Sequence, residues 1–439
     1  MSNTDFTDAI VEGAKFNNSG LNTERLYSTA SYKNKNLTGC GFANIDLTKC
    51  NFTGINLTNV VFTATRLAGC DFTDAIIEGA SFAATESKGF DQEQLYSTAS
   101  YKNKNLTGIK FGHNYMVGFD FTGQNMTNVS FWGAELNNVD FTNANLTNVN
   151  FKNADINDAD FDNAIIEGAY FTDITTKQLY RTASYKEKNL KGVTFSVCLD
   201  GADFTGQNLM NANFVSLTLT DADFTKADLR GGTMKSNYVI TKNTIMGDGR
   251  IKDFSMVSSD DSFSVRKYTP AAEGGEMISA KISEAAAISG GAALTLENGA
   301  ELEVIDAASF SVANGSSIII NTDADSSTKV LIASDETLAF ETGSILSVNI
   351  ECDEAEYEAL QVSIMDFEDG ACITGLDALV KGETILLTVN DSEWLGDWDY
   401  SIENNQMLIT VSVPEPSIFA AIFGALALGL ALKFRNYKN

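Results

Sequence analysis

Residues 36–85 read NLTGC GFANI DLTKC NFTGI NLTNV VFTAT RLAGC DFTDA IIEGA SFAAT, and these five-residue units decide the fold. The second position of each unit is Leu, Phe or Ile, and the fifth is Cys, Ile, Val, Thr or Ala. A period of five fits neither one face of a helix nor the alternation of a strand. It fits a square coil in which each unit makes one side and four units make one turn.

In such a coil the large residue and the small residue two positions before it point inward, while Thr, Asn, Asp and Gly face water. Successive turns stack at about 4.8 Å, the spacing of neighbouring β-strands. The same register returns from Leu106 to Phe171 and from Phe204 to about Met234. We therefore expect a solenoid over residues 1–235 with a core of Phe and Leu.

Several units resemble the pentapeptide-repeat family, whose motif is A-(D/N)-L-x-x. The units ANLTN, ADFDN, ADFTG, ANFVS and ADLRG match it directly. The resemblance implies an all-β fold, a right-handed quadrilateral β-helix. It implies no single activity, because one fold hosts many functions.

A longer repeat overlies the short one, with near copies of LYSTASYKNKNLTG near 19–35, 86–104 and 174–188. Each copy is expected to be a short helical or loop excursion whose Leu-Tyr pair packs on the coil. Asn22, Asp91 and Thr175 are candidate N-caps, and Gln94 and Gln178 follow three residues after the last two. The Ser, Tyr and Lys of YSTASYK resemble a dehydrogenase's catalytic trio. No dinucleotide-binding glycine motif precedes them, so the sequence favours a structural role.

No catalytic, cofactor or metal site is predicted. The six cysteines show no C-x-x-C pair, and His113 is the single histidine, expected at a surface or corner. Cys40, Cys50 and Cys70 take the small inward position, which predicts buried thiols. Cys352 and Cys372 could pair in an oxidising compartment.

The second half of the chain has a different character. Residues 1–245 hold 26 acidic and 20 basic residues, whereas 246–439 hold 32 and 10. The net charge of −28 argues against nucleic acid or an anionic membrane surface as a general partner. After a connecting segment, 236–287, the sequence predicts an acidic β-rich domain over 288–412. Leu294, Leu302, Phe310 and Ile318 recur every eight residues, which indicates a β-solenoid or stacked meander.

The C-terminal segment 413–439 reads VPEPSIFAAIFGALALGLALKFRNYKN. Its apolar run, 418–432, would span about 22 Å as a helix, which is marginal for a bilayer. We expect it to be a transmembrane helix flanked by basic residues on the cytoplasmic side. Those residues are Lys433, Arg435 and Lys438.

The order of a Pro-Glu-Pro motif, an apolar helix and a basic end resembles the PEP-CTERM sorting signal, also described as an ice-binding-protein C-terminal domain. The resemblance implies export, transient retention in the inner membrane and recognition by an exosortase. It further implies delivery to the cell surface or extracellular matrix, where polysaccharide is a candidate partner. The implied processing residues are Val413, Pro414, Glu415, Pro416 and Ser417.

Export also needs a signal peptide, and MSNTDFTDAIVEGAKF lacks one. Residues 5–16 copy 71–82 and 160–171, so we expect the natural protein to begin further upstream.

Together these features predict a non-enzymatic, exported surface or matrix solenoid with a structural or adhesive role. One alternative is a cytoplasmic DNA-mimicking pentapeptide-repeat inhibitor of a topoisomerase. A second is an ice-binding protein that uses Thr-rich flat faces.

Overall fold

The computed structural model describes two compact units, Met1–Ile240 and Thr241–Asn439, and each is considered by itself. The residues described are 4–215, 218–234, 239–305, 309–313, 316–323, 328–332, 337–340, 344–351, 360–367, 372–374, 385–389, 392–393, 398–403 and 406–411.

The first unit is a coil with twenty residues in a regular turn. Parallel bridges join Asn36 to Asn56 and Asn56 to Ile76, and the other sides repeat the same step. Four five-residue sides therefore make one turn, as the sequence predicts. Longer ladders form only where two-residue strands stack. These are β1 Asn150–Phe151, β2 Tyr170–Phe171, β3 Thr194–Phe195, β4 Asn213–Phe214 and β5 Thr233–Met234, paired in chain order.

The core is built from two opposite stacks of phenylalanine. Phe42 and Phe62 stack on one side with ring centres 5.7 Å apart, and Phe52 and Phe72 stack on the opposite side at 5.1 Å. Phe52 also meets Phe62 edge to face at 5.5 Å, so the stacks interdigitate across the coil. Leu, Ile and Met fill the two sides between them. All four rings are fully buried, which makes this stack the main apolar stabilisation of the unit.

Three excursions interrupt the coil, and each is a pair of short helices, which confirms the sequence prediction. In every copy a threonine between the two helices caps the second one. A single 3₁₀ turn, Glu86–Lys88, precedes the second pair. The helices are α1 Thr23–Ser28, α2 Ala30–Lys33, α3 Gln92–Ser97, α4 Ala99–Lys102, α5 Thr176–Arg181 and α6 Ala183–Lys186.

The predicted N-caps are also confirmed. The side chain of Asn22 accepts a hydrogen bond from the Arg25 N–H at the start of α1. Asp91 with Gln94, and Thr175 with Gln178, form complete capping boxes. The caps satisfy free N–H groups of these short helices, which are too short to persist without their neighbours.

Two opposite sides of the coil differ in the continuity of their ladders. The continuous side carries an unbroken parallel ladder over Lys15, Gly41, Val61, Ser81, Lys110, Ser130, Asn150, Tyr170, Thr194, Asn213 and Thr233. The excursion side lies opposite and is broken at each helix pair. Its ladders join Asn51 to Asp71, Asp120 through Asp140 to Asp160, and Asp203 to Asp223.

The second unit is a three-sided parallel solenoid. Leu294, Leu302 and Phe310 are buried and lie on three different sheets, and Ile318 returns to pair with Leu294. Each eight-residue repeat therefore forms one side of the solenoid, and three sides make one turn. Antiparallel pairs join Ile385–Val389 to Ser392–Glu393, Gln406–Val411 to both Leu360–Phe367 and Trp398–Glu403, and Thr244–Ile245 to Ile251–Lys252. Its strands are β6 Thr244–Ile245, β7 Ile251–Lys252, β8 Ser262–Val265, β9 Ala280–Ile282, β10 Ala286–Ile288, β11 Ala293–Leu296, β12 Glu301–Val304, β13 Ser309–Val312, β14 Ser317–Asp323, β15 Lys329–Ile332, β16 Thr337–Phe340, β17 Ile345–Glu351, β18 Leu360–Phe367, β19 Cys372–Thr374, β20 Ile385–Val389, β21 Ser392–Glu393, β22 Trp398–Glu403 and β23 Gln406–Val411.

The segment 236–287, expected to be a connection, differs from that expectation. Strands β6 to β9 lie wholly within it, and β10 begins there. Phe263 and Val265 are buried, and their strand pairs in register with β11. The segment therefore supplies the first coil of the second solenoid. Its strands lack the spacing of eight because long polar loops separate them.

Among the described residues, no helix has the length and apolarity needed to cross a bilayer. The expected apolar helix, 418–432, lies outside the described residues.

Candidate functional surfaces

Each excursion ends in a pair of tyrosines that holds one peptide of the coil. The Tyr27 hydroxyl accepts a hydrogen bond from the Asn51 N–H at 2.7 Å, and the Tyr32 hydroxyl donates to the Asn51 carbonyl at 2.6 Å. The two rings stack with centres 4.4 Å apart. We call this arrangement a tyrosine clamp. The other two clamps are Tyr96 and Tyr101 on Asp120, and Tyr180 and Tyr185 on Asp203.

The clamp replaces a missing β-ladder partner. Asn51 pairs with Asp71 in one direction. In the other direction its partner would lie twenty residues earlier, at Ser31, but that residue is in α2. The two hydroxyls therefore supply the donor and the acceptor that the coil would otherwise supply. Unpaired backbone groups are costly wherever water has restricted access, so the clamp allows a helix pair to enter a β-solenoid.

Burial also acts on the donor hydroxyl of each clamp. It raises the pKa of Tyr32, Tyr101 and Tyr185 well above the ordinary value, with each neighbouring tyrosine adding to the effect. Each of these three phenols is the donor of its pair. The donor therefore remains available throughout the neutral range.

The other polar groups of YSTASYK also hold the coil. Ser31 Oγ accepts from the Val11 N–H at 2.7 Å, and the second and third copies repeat this contact. Lys33 donates to Asp8 at 2.7 Å. Serine, tyrosine and lysine thus point to separate partners instead of converging on one reaction centre. The equivalent contacts are Ser100 with Ile77, Ser184 with Ile166, Lys102 with Asp74 and Lys186 with Asn163.

The clamped residues were not predicted from the sequence. The signal that could have found them is the period itself, because Asp120 and Asp203 lie twenty residues after Ser100 in α4 and Ala183 in α6. A residue one turn after an inserted helix has lost its ladder partner. A tyrosine pair within the insertion is then the candidate replacement.

Cys40, Cys50 and Cys70 are buried in the core as free thiols, at the inward positions that the sequence predicts. The Cys40 thiol donates to the Val11 carbonyl at 3.0 Å. Burial raises the pKa of Cys40 to about 11, and of Cys50 and Cys70 to about 12. These thiols lack the thiolate character that a nucleophile needs. Cys352 lies outside the described residues, as does the side chain of Cys372.

His113 lies exposed at a corner of the coil with a left-handed φ of 58°, as expected for a surface or corner histidine. Its ring meets Trp132 edge to face, with centres 4.6 Å apart. Trp132 is 47% exposed, and so is available to a partner. The sequence reasoning missed this pair because neither residue belongs to the repeat motif.

The threonines of the NLT units are hydrogen-bonded within their own units. The Thr38 hydroxyl donates to Asn36 Oδ1 at 2.7 Å, and the Asn36 oxygen also accepts the Thr38 N–H. The hydroxyl hydrogens on this side are thus directed at the protein. This weakens the ice-binding alternative, which needs threonines turned toward water. The same contact recurs in Thr58 with Asn56, Thr107 with Asn105, Thr127 with Asn125 and Thr147 with Asn145.

A cleft of about 280 Å³ lies between the third excursion and the coil. Within it, Arg181 forms ion pairs with Asp160, at 3.3 Å, and with Asp162. In the described part of the chain, no group of three or more His, Cys, Asp or Glu side chains is arranged to hold a metal ion. The expected sorting and flanking residues lie outside the described residues. They are Val413, Pro414, Glu415, Pro416, Ser417, Lys433, Arg435 and Lys438.

Comparison with known proteins agrees with this geometry. The family described as Pentapeptide repeats matches eight copies, within residues 40–79, 105–143, 134–173 and 198–235. The first unit therefore carries pentapeptide repeats. No curated protein matches the chain in sequence.

Three solved structures are similar to parts of the chain. One is HetL of the cyanobacterium Nostoc, a pentapeptide repeat protein involved in heterocyst differentiation regulation; it is 19% identical, covers 53% of this chain and 100% of its own, and has a TM-score of 0.19. The second is full-length QnrB1, a plasmid-mediated fluoroquinolone resistance protein; it is 16% identical, covers 47% and 86%, and has a TM-score of 0.18. The third is PfbA, a surface adhesin of Streptococcus pneumoniae; it is 10% identical, covers 85% and 91%, and has a TM-score of 0.16.

Proposed function

We propose that this chain is a non-enzymatic, exported solenoid that serves a structural or adhesive role at the cell surface or in the extracellular matrix. The observation that carries the proposal is the use of YSTASYK. In all three copies its tyrosines, serine and lysine hold the coil, so the most chemically suggestive motif of the chain has a structural use. A solenoid with many similar outward positions is suited to presenting surface rather than to binding one small substrate.

The destination is proposed from the C-terminal sequence. The resemblance of 413–439 to the PEP-CTERM signal supports insertion of 418–432 in the membrane, processing by an exosortase at Pro414, Glu415 and Pro416, and release to the surface. By the same resemblance, polysaccharide of the matrix is the candidate partner. The basic end at Lys433 and Arg435 would remain on the cytoplasmic side before cleavage.

Fractionation of cells tests this proposal. The gene, with its upstream sequence, is expressed in a Gram-negative host that has an exosortase, in parallel with a form lacking 413–439 and a triple variant with alanine at Pro414, Glu415 and Pro416. The unaltered chain should reach the surface or medium. The triple variant should stay in the membrane, and the truncated form should be found in neither the membrane nor the surface fraction. Finding both the unaltered and the truncated chain soluble in the cytoplasm would reject the proposal.

One observation favours the second candidate, a DNA-mimicking topoisomerase inhibitor. Asp120, Asp140 and Asp160 stack on adjacent turns of the excursion side, and Asp203 and Asp223 form a shorter stack. A regular column of carboxylates offers basic groups a surface similar to a phosphate backbone. A gyrase supercoiling assay separates the candidates, because an inhibitor should act at stoichiometric concentration and a surface protein should not.

A further inference from the structure

The continuous side is the longest uninterrupted surface of the first unit. Its ladder passes through eleven rungs from Lys15 to Thr233 without a break at any excursion. Ten steps at the inter-strand spacing give a length of about 48 Å. On the ten rungs from Lys15 to Asn213 a buried Phe is flanked by two outward residues, so the side is narrow and regular.

This side also differs from the rest of the protein in charge. The two outward residues that flank the buried position on each described rung from Lys15 to Thr233 include no Asp or Glu, and Lys15, Lys110 and Lys152 are basic; the exposed Asp173 lies at the corner that follows Thr172. The opposite side carries the stacked aspartates, and the whole chain has a net charge of −28. A strip whose flanking positions carry lysines and no carboxylates, on so acidic a protein, is the place where an anion meets the least repulsion.

Aromatic rings lie among the lysines on consecutive turns. Trp132 and Lys152 occupy the same outward position on adjacent turns, and Lys110 lies one turn before Trp132 on the paired rung. The Lys152 ammonium lies 5.8 Å from the centre of the Tyr170 ring, on the next rung. Trp132 is 47% exposed beside the His113 ring, so about half of its surface is open to a partner. We define Lys110, Trp132, Lys152 and Tyr170 as the aromatic-basic patch.

We propose that the aromatic-basic patch binds an anionic polysaccharide. The apolar C–H face of a sugar ring stacks on Trp132, and carboxylates of the polymer pair with Lys110 and Lys152. Asn, Ser and Thr of the neighbouring rungs donate hydrogen bonds to the sugar hydroxyls. The inference rests on the proposed function, since it names the matrix component that an adhesive solenoid would hold.

The chemistry favours this partner over the alternatives. DNA carries a charge every ~1.7 Å, and neutralising so dense a polyanion takes more cations than one strip with three lysines supplies. A protein partner would need a cluster of buried apolar anchors, whereas this side offers one exposed tryptophan among small polar residues. A polyuronate spreads its charge along the chain and presents a ring face with each sugar.

Affinity electrophoresis of the purified full-length chain tests the inference. Native gels contain sodium alginate, a polymer of uronic acids, or uncharged dextran, or double-stranded DNA. We expect alginate to retard the chain more than dextran or DNA does. Trp132→Ala should weaken the alginate affinity about tenfold, and the pair Lys110→Gln with Lys152→Gln should weaken it and reduce its sensitivity to salt.

Tyr115→Ala is the matched control, because Tyr115 is an exposed aromatic on a neighbouring side whose next rung is Glu135. It should migrate as the unaltered chain does. Each variant is outward-facing, and unchanged circular dichroism and thermal unfolding will verify its fold. The inference is overturned if Trp132→Ala has no effect, if Tyr115→Ala has an equal effect, or if dextran or DNA retards the chain as strongly.

Failure here is distinct from failure of the proposed function. If the chain reaches the cell surface but does not bind alginate, only this inference is overturned. A chain that binds alginate through Trp132 but stays in the cytoplasm overturns only the proposed destination.

Discussion

Removal of the two hydroxyls of one tyrosine clamp should loosen the solenoid at one place. The change is Tyr96→Phe together with Tyr101→Phe in the second excursion. The hydroxyls hold the N–H and the carbonyl of Asp120 at 2.6 and 2.7 Å. Phenylalanine keeps the ring stack, whose centres are 4.2 Å apart, so the packing is preserved. The change removes these two hydrogen bonds and the one that Gln92 Nε2 donates to the Tyr96 hydroxyl at 2.8 Å.

Each lost hydrogen bond is worth about 0.5–1.5 kcal/mol. Asp120 is exposed, so water partly replaces the lost partners, and the low end of that range applies. We expect the double variant to lose about 1–2 kcal/mol of local stability, which corresponds to roughly 5- to 30-fold in an opening equilibrium. Because each turn of a solenoid contacts mainly the turns next to it, the loss of stability should be confined to the turns around Asp120.

Hydrogen exchange followed by mass spectrometry measures this directly. The peptide containing Asp120, and the helices α3 and α4, should exchange roughly 5- to 30-fold faster in the double variant, because amide exchange follows local opening. The peptide containing Asp203, which has its own clamp, should not change. Tyr115→Phe is the control, since its ring is 53% exposed and no hydrogen bond of its hydroxyl is seen within the described structure. Equal rates of amide exchange in the Asp120 peptide of the double variant and of the control would refute the claim that the clamp stabilises this turn.

Two further predictions concern the buried polar groups. Arg230 and Asp228 form an ion pair at 2.7 Å with both side chains 1% exposed. Arg230→Ala leaves the Asp228 charge buried and unpaired and should cost about 3–5 kcal/mol of unfolding free energy, whereas Arg230→Met with Asp228→Leu removes both charges and should cost far less. Equal losses for the two variants in denaturant titrations would contradict this reasoning. Burial raises the pKa of the Cys50 and Cys70 thiols from 9.0 to about 12, so the folded chain keeps protons that the unfolded chain releases. This contribution to stability is complete below pH 9 and is lost as the pH rises toward 12. Between pH 9 and 12 the denaturant midpoint of unfolding should therefore fall more steeply with pH for the unaltered chain than for the double variant Cys50→Ala with Cys70→Ala. Equal slopes of midpoint against pH would show that the two thiols do not make this contribution.

The coil and its excursions could be predicted from the sequence because each signal repeats. The register that places Leu37 inward also places Leu57 inward, and the cap residues Asn22, Asp91 and Thr175 mark three separate helix starts. Repetition turns a weak local preference into a firm expectation. The period of eight in the second unit worked in the same way and left only the choice between solenoid and meander open.

The rest could not be predicted, because it depends on what lies one turn away. Asp228 and Arg230 occupy outward positions of the five-residue repeat, which predict exposure to solvent, yet both side chains are buried. The strands within 236–287 have irregular spacing, so their alternation is short and easily missed. The role of Asn51 in the first clamp follows only from the absence of a ladder partner one turn earlier, and the identity of the residue itself does not indicate this role.

The placement of the three excursions explains why a continuous side exists at all. On that side the ladder steps from Lys15 to Gly41, from Ser81 to Lys110 and from Tyr170 to Thr194, and these three intervals contain the helix pairs. The extra residues are absorbed within one turn on the opposite side, where the clamps restore the lost backbone pairing. Duplication of a block together with its excursion therefore lengthens the continuous side without interrupting it. Because every inserted helix pair lies on the excursion side, the continuous side stays open along its length, and a long polymer is the kind of partner that benefits from such a surface.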